Sequence, residues 1–200
     1  SVFRAIVWPQ LTWAAGDRLV FPWEKTGWTS LYSVSVNGGA PLLLTPGAFE
    51  VEYVTFTPDK RDVIYNSNQD DIDRRDIWRV SVAGGPPRAL TSGADIEWQP
   101  AVTSDGGAIA FFKSGTRRPA HAVIQVGNAA PRELAPGTIP ADFPERAMVD
   151  PVPVVITSTD GLKIHAQLFL PPGAKPGDAR PAAIFFHGGS RRQMLLGWNY

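Results

Sequence analysis

The residues best suited to chemistry in this sequence are His187-Gly188-Gly189, which directly follow the apolar run 182–186. An apolar run that ends in two glycines is typical of a buried strand followed by a tight turn. Because glycine has no side chain, its backbone N–H can come close to a substrate and donate a hydrogen bond to a developing oxyanion. We therefore predict a catalytic turn at these three residues, with His187 beside the two glycines.

Three polar residues, Ser190, Arg191 and Arg192, follow this turn directly. Ser190 has no base in its local sequence, so we interpret it as a turn residue and not as a nucleophile. Arg191 and Arg192 could bind a substrate carboxylate, because guanidinium groups pair with carboxylates through two parallel hydrogen bonds. A solvated surface pair is the alternative for these two arginines.

The three histidines, at positions 121, 165 and 187, are scattered and lack the spacing of zinc ligands, so we predict no metal site. His121 begins a strand-like run, and His165 lies between two apolar residues of another run, so both are interpreted as structural. The sequence contains no cysteine, which excludes disulfides and thiolate catalysis. We also predict no cofactor.

Charge and hydropathy exclude two classes of partner. The 19 basic and 19 acidic residues cancel, which argues against nucleic acid, and no apolar run approaches the roughly 20 residues that span a bilayer. The most charged segment, DDIDRRD at 70–76, could bind calcium through its carboxylates, but it lacks the glycine and terminal glutamate of an EF-hand loop. We favour an exposed loop with internal ion pairs.

The elements that must position the turn are dominated by a repeat of about 45 residues. One repeated element occurs at 34–41, 80–87 and 124–131, and a second one occurs upstream at 16–21, 60–65 and 106–111. Each repeat has the pattern of four short strands joined by turns rich in Gly, Asn, Asp and Pro. This period with four strands per unit is typical of a β-propeller blade.

We therefore predict a mainly β fold, with a partial β-propeller of about three blades over residues 1–136. A two-sheet sandwich is the alternative, although a sandwich needs no internal repeat. Because propellers usually have four to eight blades, we expect further blades before this chain begins. Four tryptophans are predicted to pack between blades and not to form a carbohydrate platform: Trp23, Trp28, Trp78 and Trp98.

A composition shift follows the repeats. The proline-rich stretch 137–150 is predicted to be a linker. After it, 152–157 and 163–170 read as a hairpin, and 182–186 reads as a buried third strand. A hairpin followed by an apolar strand that ends in HGG resembles the start of an α/β-hydrolase domain, so we expect residues 151–200 to be the first part of such a domain.

Taken together, the sequence resembles the prolyl oligopeptidase family of serine peptidases, which includes dipeptidyl-peptidase-IV-like and acylaminoacyl-peptidase-like enzymes. The blade segments TPDKRDVIYNSN and RDIWRVSVAGGPPRALT carry this resemblance in part, and non-enzymatic TolB-like propellers share such segments. The order of blades, then VDPVPVVITSTDGLKIHAQLFLPPG, then AAIFFHGGSRRQ is more specific. The resemblance covers essentially the whole chain.

The resemblance implies a hydrolase that cleaves short peptides with a Ser-His-Asp triad. Its serine would lie on a G-x-S-x-G turn, and the HGG turn at 187–189 would contribute to the oxyanion hole. The 200 residues contain no G-x-S-x-G segment. We therefore expect this chain to be a fragment that lacks the triad and is inactive on its own.

Two departures limit what the resemblance implies about specificity. His187 stands where dipeptidyl-peptidase-IV-like members have a tyrosine that stabilises the oxyanion, and the paired glutamates that hold a substrate's free N-terminus are not evident. A TolB-like propeller that binds a protein or ligand, and an esterase or amidase of the same fold, are the alternative functions. The compartment (cytoplasmic, periplasmic or secreted) and a homo-oligomeric state are left open.

Overall fold

The computed structural model describes residues 11–188 and 193–198, and nearly all of their regular structure is β-strand. Twelve strands form three four-stranded antiparallel sheets, each with its strands in sequence order. Blade 1 consists of β1 (Thr12–Ala14), β2 (Arg18–Trp23), β3 (Ser30–Ser35) and β4 (Leu42–Leu43). Blade 2 consists of β5 (Val51–Phe56), β6 (Asp62–Ser67), β7 (Asp76–Ser81) and β8 (Arg88–Ala89). Blade 3 consists of β9 (Ile96–Val102), β10 (Ala108–Ser114), β11 (His121–Val126) and β12 (Arg132–Glu133). The predicted mainly β fold with four-stranded blades is confirmed.

The turn between the first two strands of a blade repeats the same side-chain hydrogen bonds. The Thr57 hydroxyl donates to Asp59 Oδ1 over 2.7 Å and accepts the backbone N–H of Asp62 over 3.1 Å. Thr103 and Asp105 occupy the same positions one blade later, with a hydroxyl–carboxylate distance of 2.6 Å. Short polar side chains that bond to nearby backbone favour turns, which explains why TPD and TSD segments interrupt the strands here.

A second repeated bond joins the outermost strand of a blade to its neighbour. The Thr45 hydroxyl accepts the Leu31 backbone N–H over 2.8 Å, and Thr91 accepts the Ile77 N–H over the same distance. Thr45 is fully buried. Each outer strand has only two residues and ends before it can pair with this N–H group. The hydroxyl of the threonine that follows the strand accepts the N–H instead.

Apolar side chains fill the space between neighbouring blades. Side chains alternate along β6, so Val63 and Tyr65 pack towards blade 1 while Ile64 packs towards blade 3. The core between blades 1 and 2 contains Val20, Leu31, Leu44, Phe49, Val51, Val63, Tyr65, Trp78, Val80 and Val82. The smaller core between blades 2 and 3 contains Ile64, Ile77, Phe111 and Val123.

The tryptophans only partly follow the prediction. Trp78 is buried in the core between blades 1 and 2, and Trp98 is buried in the cluster that also contains Ile96. The prediction of packing between blades is wrong for Trp23, which is 40% exposed and lies with its ring 5.2 Å from that of Tyr32. Trp28 is half-buried.

Beyond the blades, β13 (Val152–Thr157) and β14 (Lys163–Leu168) form the predicted antiparallel hairpin. The stretch before it contains a short 3-10 turn, Glu145–Ala147. The division into a propeller over 1–136, a linker over 137–150 and a second domain from 151 stays a prediction.

The predicted buried strand at 182–186 is wrong for this structure. These residues have no regular structure, and Ile184, Phe185 and Phe186 are 80%, 80% and 86% exposed. A buried parallel strand needs hydrogen-bonded neighbours on both sides, and none of the described strands pairs with this segment. The run of apolar residues therefore predicted a strand, but none of the described sheets pairs with this segment.

Across the part of the chain that the structure describes, none of the helices has the length and apolar character needed to cross a membrane.

Candidate functional site

The described part of the predicted catalytic turn, His187 and Gly188, lies on the surface. His187 and Gly188 are exposed, and the His187 Nδ1 atom lies 3.4 Å from the carbonyl oxygen of Gly188. A Cβ added at Gly188 would meet no atom within 4 Å, so space for an approaching substrate exists beside this residue. Gly189, Ser190, Arg191 and Arg192 lie outside the described residues.

Residues 193–198, the C-terminal segment, lie against the loops of blades 2 and 3. The Leu196 backbone N–H donates to the Asp73 carbonyl over 3.1 Å, and the Trp198 N–H donates to the Gly115 carbonyl over 3.1 Å. The Ser114 hydroxyl donates to the Trp198 carbonyl over 2.8 Å. Backbone bonds to two different blades therefore fix this segment.

Two leucine side chains form the buried apolar part of this contact. Leu195 packs with Ile96, Trp98 and Tyr53, and it is only 2% exposed. Leu196 is also buried. Full burial of a leucine side chain contributes about 1.5–3 kcal/mol, so these two side chains stabilise the docking of the segment on the blades.

The tight fit requires a glycine at position 197. A Cβ added there would lie 2.9 Å from Ile96 Cδ1 and 3.1 Å from the Gly115 carbonyl oxygen. The isoleucine methyl could rotate away, but the backbone carbonyl could not. Glycine at position 197 therefore lets the backbone come close to the Gly115 carbonyl, to which the N–H of the next residue, Trp198, donates.

A buried arginine lies beneath the C-terminal segment. Arg75 is 4% exposed, and its Nε donates to Glu52 Oε1 over 2.9 Å. Its Nη1 donates to the Arg74 carbonyl over 2.9 Å, and its Nη2 donates to Gln193 Oε1 over 3.3 Å. Asn66 Nδ2 donates to the second carboxylate oxygen of Glu52 over 2.7 Å, so the ion pair is embedded in a polar network.

This network corrects the prediction for the charged loop at 70–76. The expected internal ion pair is present between Arg74 and Asp71, at 3.0 Å. Arg75, however, is buried and not on the exposed surface of the loop. The loop covers the contact between blades and C-terminal segment, which its charge pattern alone did not indicate.

The hairpin and the linker also contact this side of the blades. His165 Nδ1 lies 3.5 Å from Asp73 Oδ1, and the Gln167 side-chain amide donates to the Leu195 carbonyl. Asp150, at the end of the predicted linker, has its Oδ2 atom 2.7 Å from Nη2 of Arg117 in the loop between β10 and β11. Hydrogen bonds from Arg117 and then Thr116 hold the pKa of Asp150 below its usual range.

A group of charged side chains lies between blades 2 and 3. The Lys113 ammonium is 2.7 Å from Asp95 Oδ2 and 3.4 Å from Glu97 Oε1. Burial, followed by the nearby charge of Glu97, raises the pKa of Asp76 to about 7. Burial also raises the pKa of Glu97.

A cavity of about 240 Å³ opens beside these charges. Its lining includes the charged residues Asp95, Lys113, Arg118 and Glu133 and the polar residue His121. Arg118 pairs with Glu133, and Lys113 pairs with Asp95, so both cations already have carboxylate partners. Within residues 11–188 and 193–198, no group of three or more His, Cys, Asp or Glu side chains could hold a metal ion.

The fold defines the class of protein first: four-stranded antiparallel blades that repeat along the chain form a β-propeller region of the TolB type. A solved structure from Agrobacterium tumefaciens, described as a TolB, has a TM-score of 0.50 and 20% identity, and it covers 62% of this chain and 47% of its own. At this identity the likeness shows the fold alone.

The family follows from the sequence match. Residues 3–120 match the family described as the dipeptidyl peptidase IV (DPP IV) N-terminal region. The chain therefore belongs to this family. A protein from Emericella nidulans described as a probable dipeptidyl peptidase 4 is 25% identical over 178 residues, which are 86% of this chain and 23% of that protein. The chain thus spans about a quarter of the length of this relative.

Proposed function

We propose that the protein acts as a serine peptidase on short peptides, with these residues forming part of its propeller and the start of its catalytic domain. In this proposal the Ser-His-Asp triad lies in the part of the protein that the relative has and these 200 residues do not span. The propeller would restrict access to the active site, and the catalytic domain would perform acyl transfer.

One observation carries the proposal: a single chain contains the dipeptidyl peptidase IV N-terminal region and, downstream of it, the hairpin and the HGG turn. A propeller alone would fit a binding protein as well. The turn adds the backbone donors that acyl transfer requires when negative charge develops on the carbonyl oxygen.

The proposed roles follow from the residue types. The backbone N–H groups at Gly188 and Gly189 would donate to the oxyanion, and His187 would orient the turn. Arg191 and Arg192 would contact a carboxylate of the substrate. The domain boundaries of this proposal are those of the sequence: 1–136, 137–150 and 151–200.

The exposed apolar residues at 184–186 support the same domain assignment. Three adjacent large apolar side chains that are almost fully exposed are costly in water, at about 1.5–3 kcal/mol each. A larger catalytic domain would add strands beside this segment and beside the β13–β14 hairpin.

The test is covalent labelling of the full-length protein with a fluorophosphonate probe. We expect labelling that disappears when the serine of a G-x-S-x-G turn is replaced by alanine. The Ser190→Ala variant is the matched control and should keep its labelling, because Ser190 is interpreted as a turn residue. A folded full-length protein that is not labelled would contradict the proposal and favour a binding propeller.

A panel of matched peptide and ester substrates then tests the substrate class. A peptidase should cleave short peptides with a higher kcat/KM than esters of the same acyl group. The reverse preference would assign the protein to the esterases of this fold.

A further inference from the structure

We propose that Gln99, on the innermost strand of blade 3, binds the backbone of the peptide substrate through its side-chain amide. This inference rests on the proposed peptidase function for the identity of the ligand. The structural features that carry it do not depend on that function: a strained backbone, a strand bulge and an exposed amide group.

The first observation is the backbone conformation of Gln99. Its φ angle is +55°, in the left-handed region that residues with a Cβ atom rarely adopt. Because β9 (Ile96–Val102) continues on both sides of this residue, the conformation interrupts a strand and does not belong to a surface turn. Strained residues persist only where the surrounding structure holds them, and they cluster at sites that bind ligands.

The second observation is a β-bulge at the same place. Gln99 and Pro100 of β9 lie opposite the single residue Phe111 of β10, where the register of the two strands shifts. An extra residue in one of two paired strands bends that strand and changes the direction of its side chains. Bulges are over-represented next to active sites for this reason.

A buried asparagine of blade 2 joins this bulge to a counterpart in its own blade. The Asn66 side-chain oxygen accepts the Gln99 backbone N–H over 3.4 Å and the Tyr53 backbone N–H over 3.1 Å. Tyr53 lies at a register shift of β5, and both residues are four positions before the threonine of the first turn in their blade. The two bulges are therefore equivalent, and Asn66, which is 0% exposed, holds both.

The third observation is the place of these strands in the propeller. β5 and β9 contact each other, and the first strands of propeller blades lie around the central channel. Tyr53 and Trp98 pack with Leu195 of the C-terminal segment. Gln99 directly follows Trp98, so it lies beside the contact between the propeller and this segment. In the proposed peptidase, the substrate would lie between the propeller and the catalytic domain.

The fourth observation is the side chain itself. Gln99 is exposed, whereas its neighbours Trp98 and Pro100 are buried. The Gln99 amide therefore does not fill the contact between blades and is accessible to a ligand. A primary amide carries a donor and an acceptor on one planar group, which match the C=O and N–H groups of a peptide backbone. The chemistry fits an extended peptide that is held by its backbone.

The experiment compares variants of the full-length protein. Gln99→Ala and Gln99→Glu should each raise KM by about 3-fold to 10-fold for the peptide that the wild type cleaves fastest, because a hydrogen bond to the substrate is lost. The change in kcat should stay below about 2-fold, since this bond forms equally in the bound substrate and the transition state. Gln99→Asn keeps an amide and should restore part of the affinity. Unchanged KM in Gln99→Ala and Gln99→Glu would overturn the proposal.

A stability measurement separates substrate binding from a structural role. Gln99→Gly relieves the backbone strain and removes the amide, so it should unfold at a higher urea concentration than the wild type while KM rises as in Gln99→Ala. Lys60→Gly is the matched control, because Lys60 is exposed and has a φ angle of +54° in the turn between β5 and β6. It should also unfold at a higher urea concentration, with KM unchanged. A Gln99→Gly variant that unfolds at a lower urea concentration would assign the side chain a structural role and overturn the proposal.

Direct binding of a peptide keeps this proposal distinguishable from the peptidase function. The probe is a fluorescein-labelled alanine tripeptide, and polarisation measures its dissociation constant in protein whose fluorophosphonate-labelled serine is replaced by alanine, or in the wild type if no serine is labelled. Adding Gln99→Ala should raise the dissociation constant by about 3-fold to 10-fold.

The outcomes of the two measurements differ. A protein that is not labelled but binds the probe through Gln99 would overturn only the peptidase function. A labelled protein whose affinity for the probe is independent of Gln99 would overturn only this inference. A protein that is not labelled and binds no probe would overturn both.

Discussion

At the scale of single residues, the carboxyl group of Asp76 is in an unusual environment. It lies between blades near Glu97, Asp71, Arg74 and Lys113. Burial is the largest cause of its raised pKa, because taking a carboxylate out of water disfavours the charged form. The same cause acts on Glu97, so the contact between blades 2 and 3 contains two carboxyl groups that resist ionisation.

This arrangement predicts a pH dependence of stability. The pKa of Asp76 is about 7 in the folded state and near 3.8 when unfolded, so the folded state binds the proton more tightly. Stability should therefore fall as pH rises from about 4 through about 7. Asp76→Asn should be more stable than the wild type at pH 8, by about 1–3 kcal/mol, and not at pH 4. Urea unfolding followed by tryptophan fluorescence measures the difference.

Asp59→Asn provides the control with the opposite sign. The Thr57 hydroxyl bond holds the pKa of Asp59 below its usual value, so its contribution to stability is lost as pH falls. The replacement should destabilise the fold at pH 8 and also at pH 4, because both lie above the usual aspartate pKa of 3.8, and its effect should disappear only at lower pH. An Asp76→Asn variant with the same pH profile as the wild type would contradict the assignment.

At the scale of elements, blades 1 and 2 share a polar residue shortly after their outermost strand. Thr45 and Thr91 perform the same task in successive blades by accepting a strand N–H over 2.8 Å. The repetition shows that the bond belongs to the blade pattern and not to one local contact. Where the acceptor is removed, the buried N–H of Leu31 or Ile77 is left without a replacement.

We expect Thr45→Val to destabilise the fold by about 1–3 kcal/mol, because the isosteric side chain removes the acceptor and keeps the volume. Thr138→Val is the matched control, since the Thr138 hydroxyl is exposed and bonds only locally to the Ala135 carbonyl. Its effect should stay within about 0.5 kcal/mol. If urea titrations gave the same change in free energy of unfolding for both substitutions, the Thr45 hydrogen bond would stabilise the fold no more than the exposed Thr138 bond does.

The elements also show how far sequence reasoning extends. The blades could be predicted because their strands pair with neighbours a few residues away and their turns are fixed by local side chains such as Thr57 and Asp59. The hairpin of β13 and β14 could be predicted for the same reason. The prediction of a strand at 182–186 is wrong, because none of the described strands pairs with this segment.

The sequence likewise predicts only part of the candidate site. The catalytic turn at 187–189 stays a prediction that rests on an apolar run followed by glycines. The hydrogen bond between Arg75 and Gln193 could not be predicted, because it joins distant parts of the chain. A weak signal was present in the charged loop at 70–76, but charge alone did not distinguish the buried Arg75 from the neighbouring surface residues.

At the scale of the whole molecule, the propeller region and the C-terminal residues meet through mostly polar contacts around a small apolar centre. The polar contacts pair Arg75 with Gln193, Arg117 with Asp150 and His165 with Asp73, and Leu195 supplies the centre. Interfaces between domains of one chain are typically of this mixed kind, which permits relative motion.

The measurement that tests the account most directly is the structure of the full-length protein after labelling with a fluorophosphonate. The account predicts a phosphonyl oxygen about 2.7–3.1 Å from backbone nitrogens of the turn at Gly188 and Gly189, with Gln193 still bonded to Arg75. A labelled serine whose phosphonyl oxygen lies far from this turn would contradict the account.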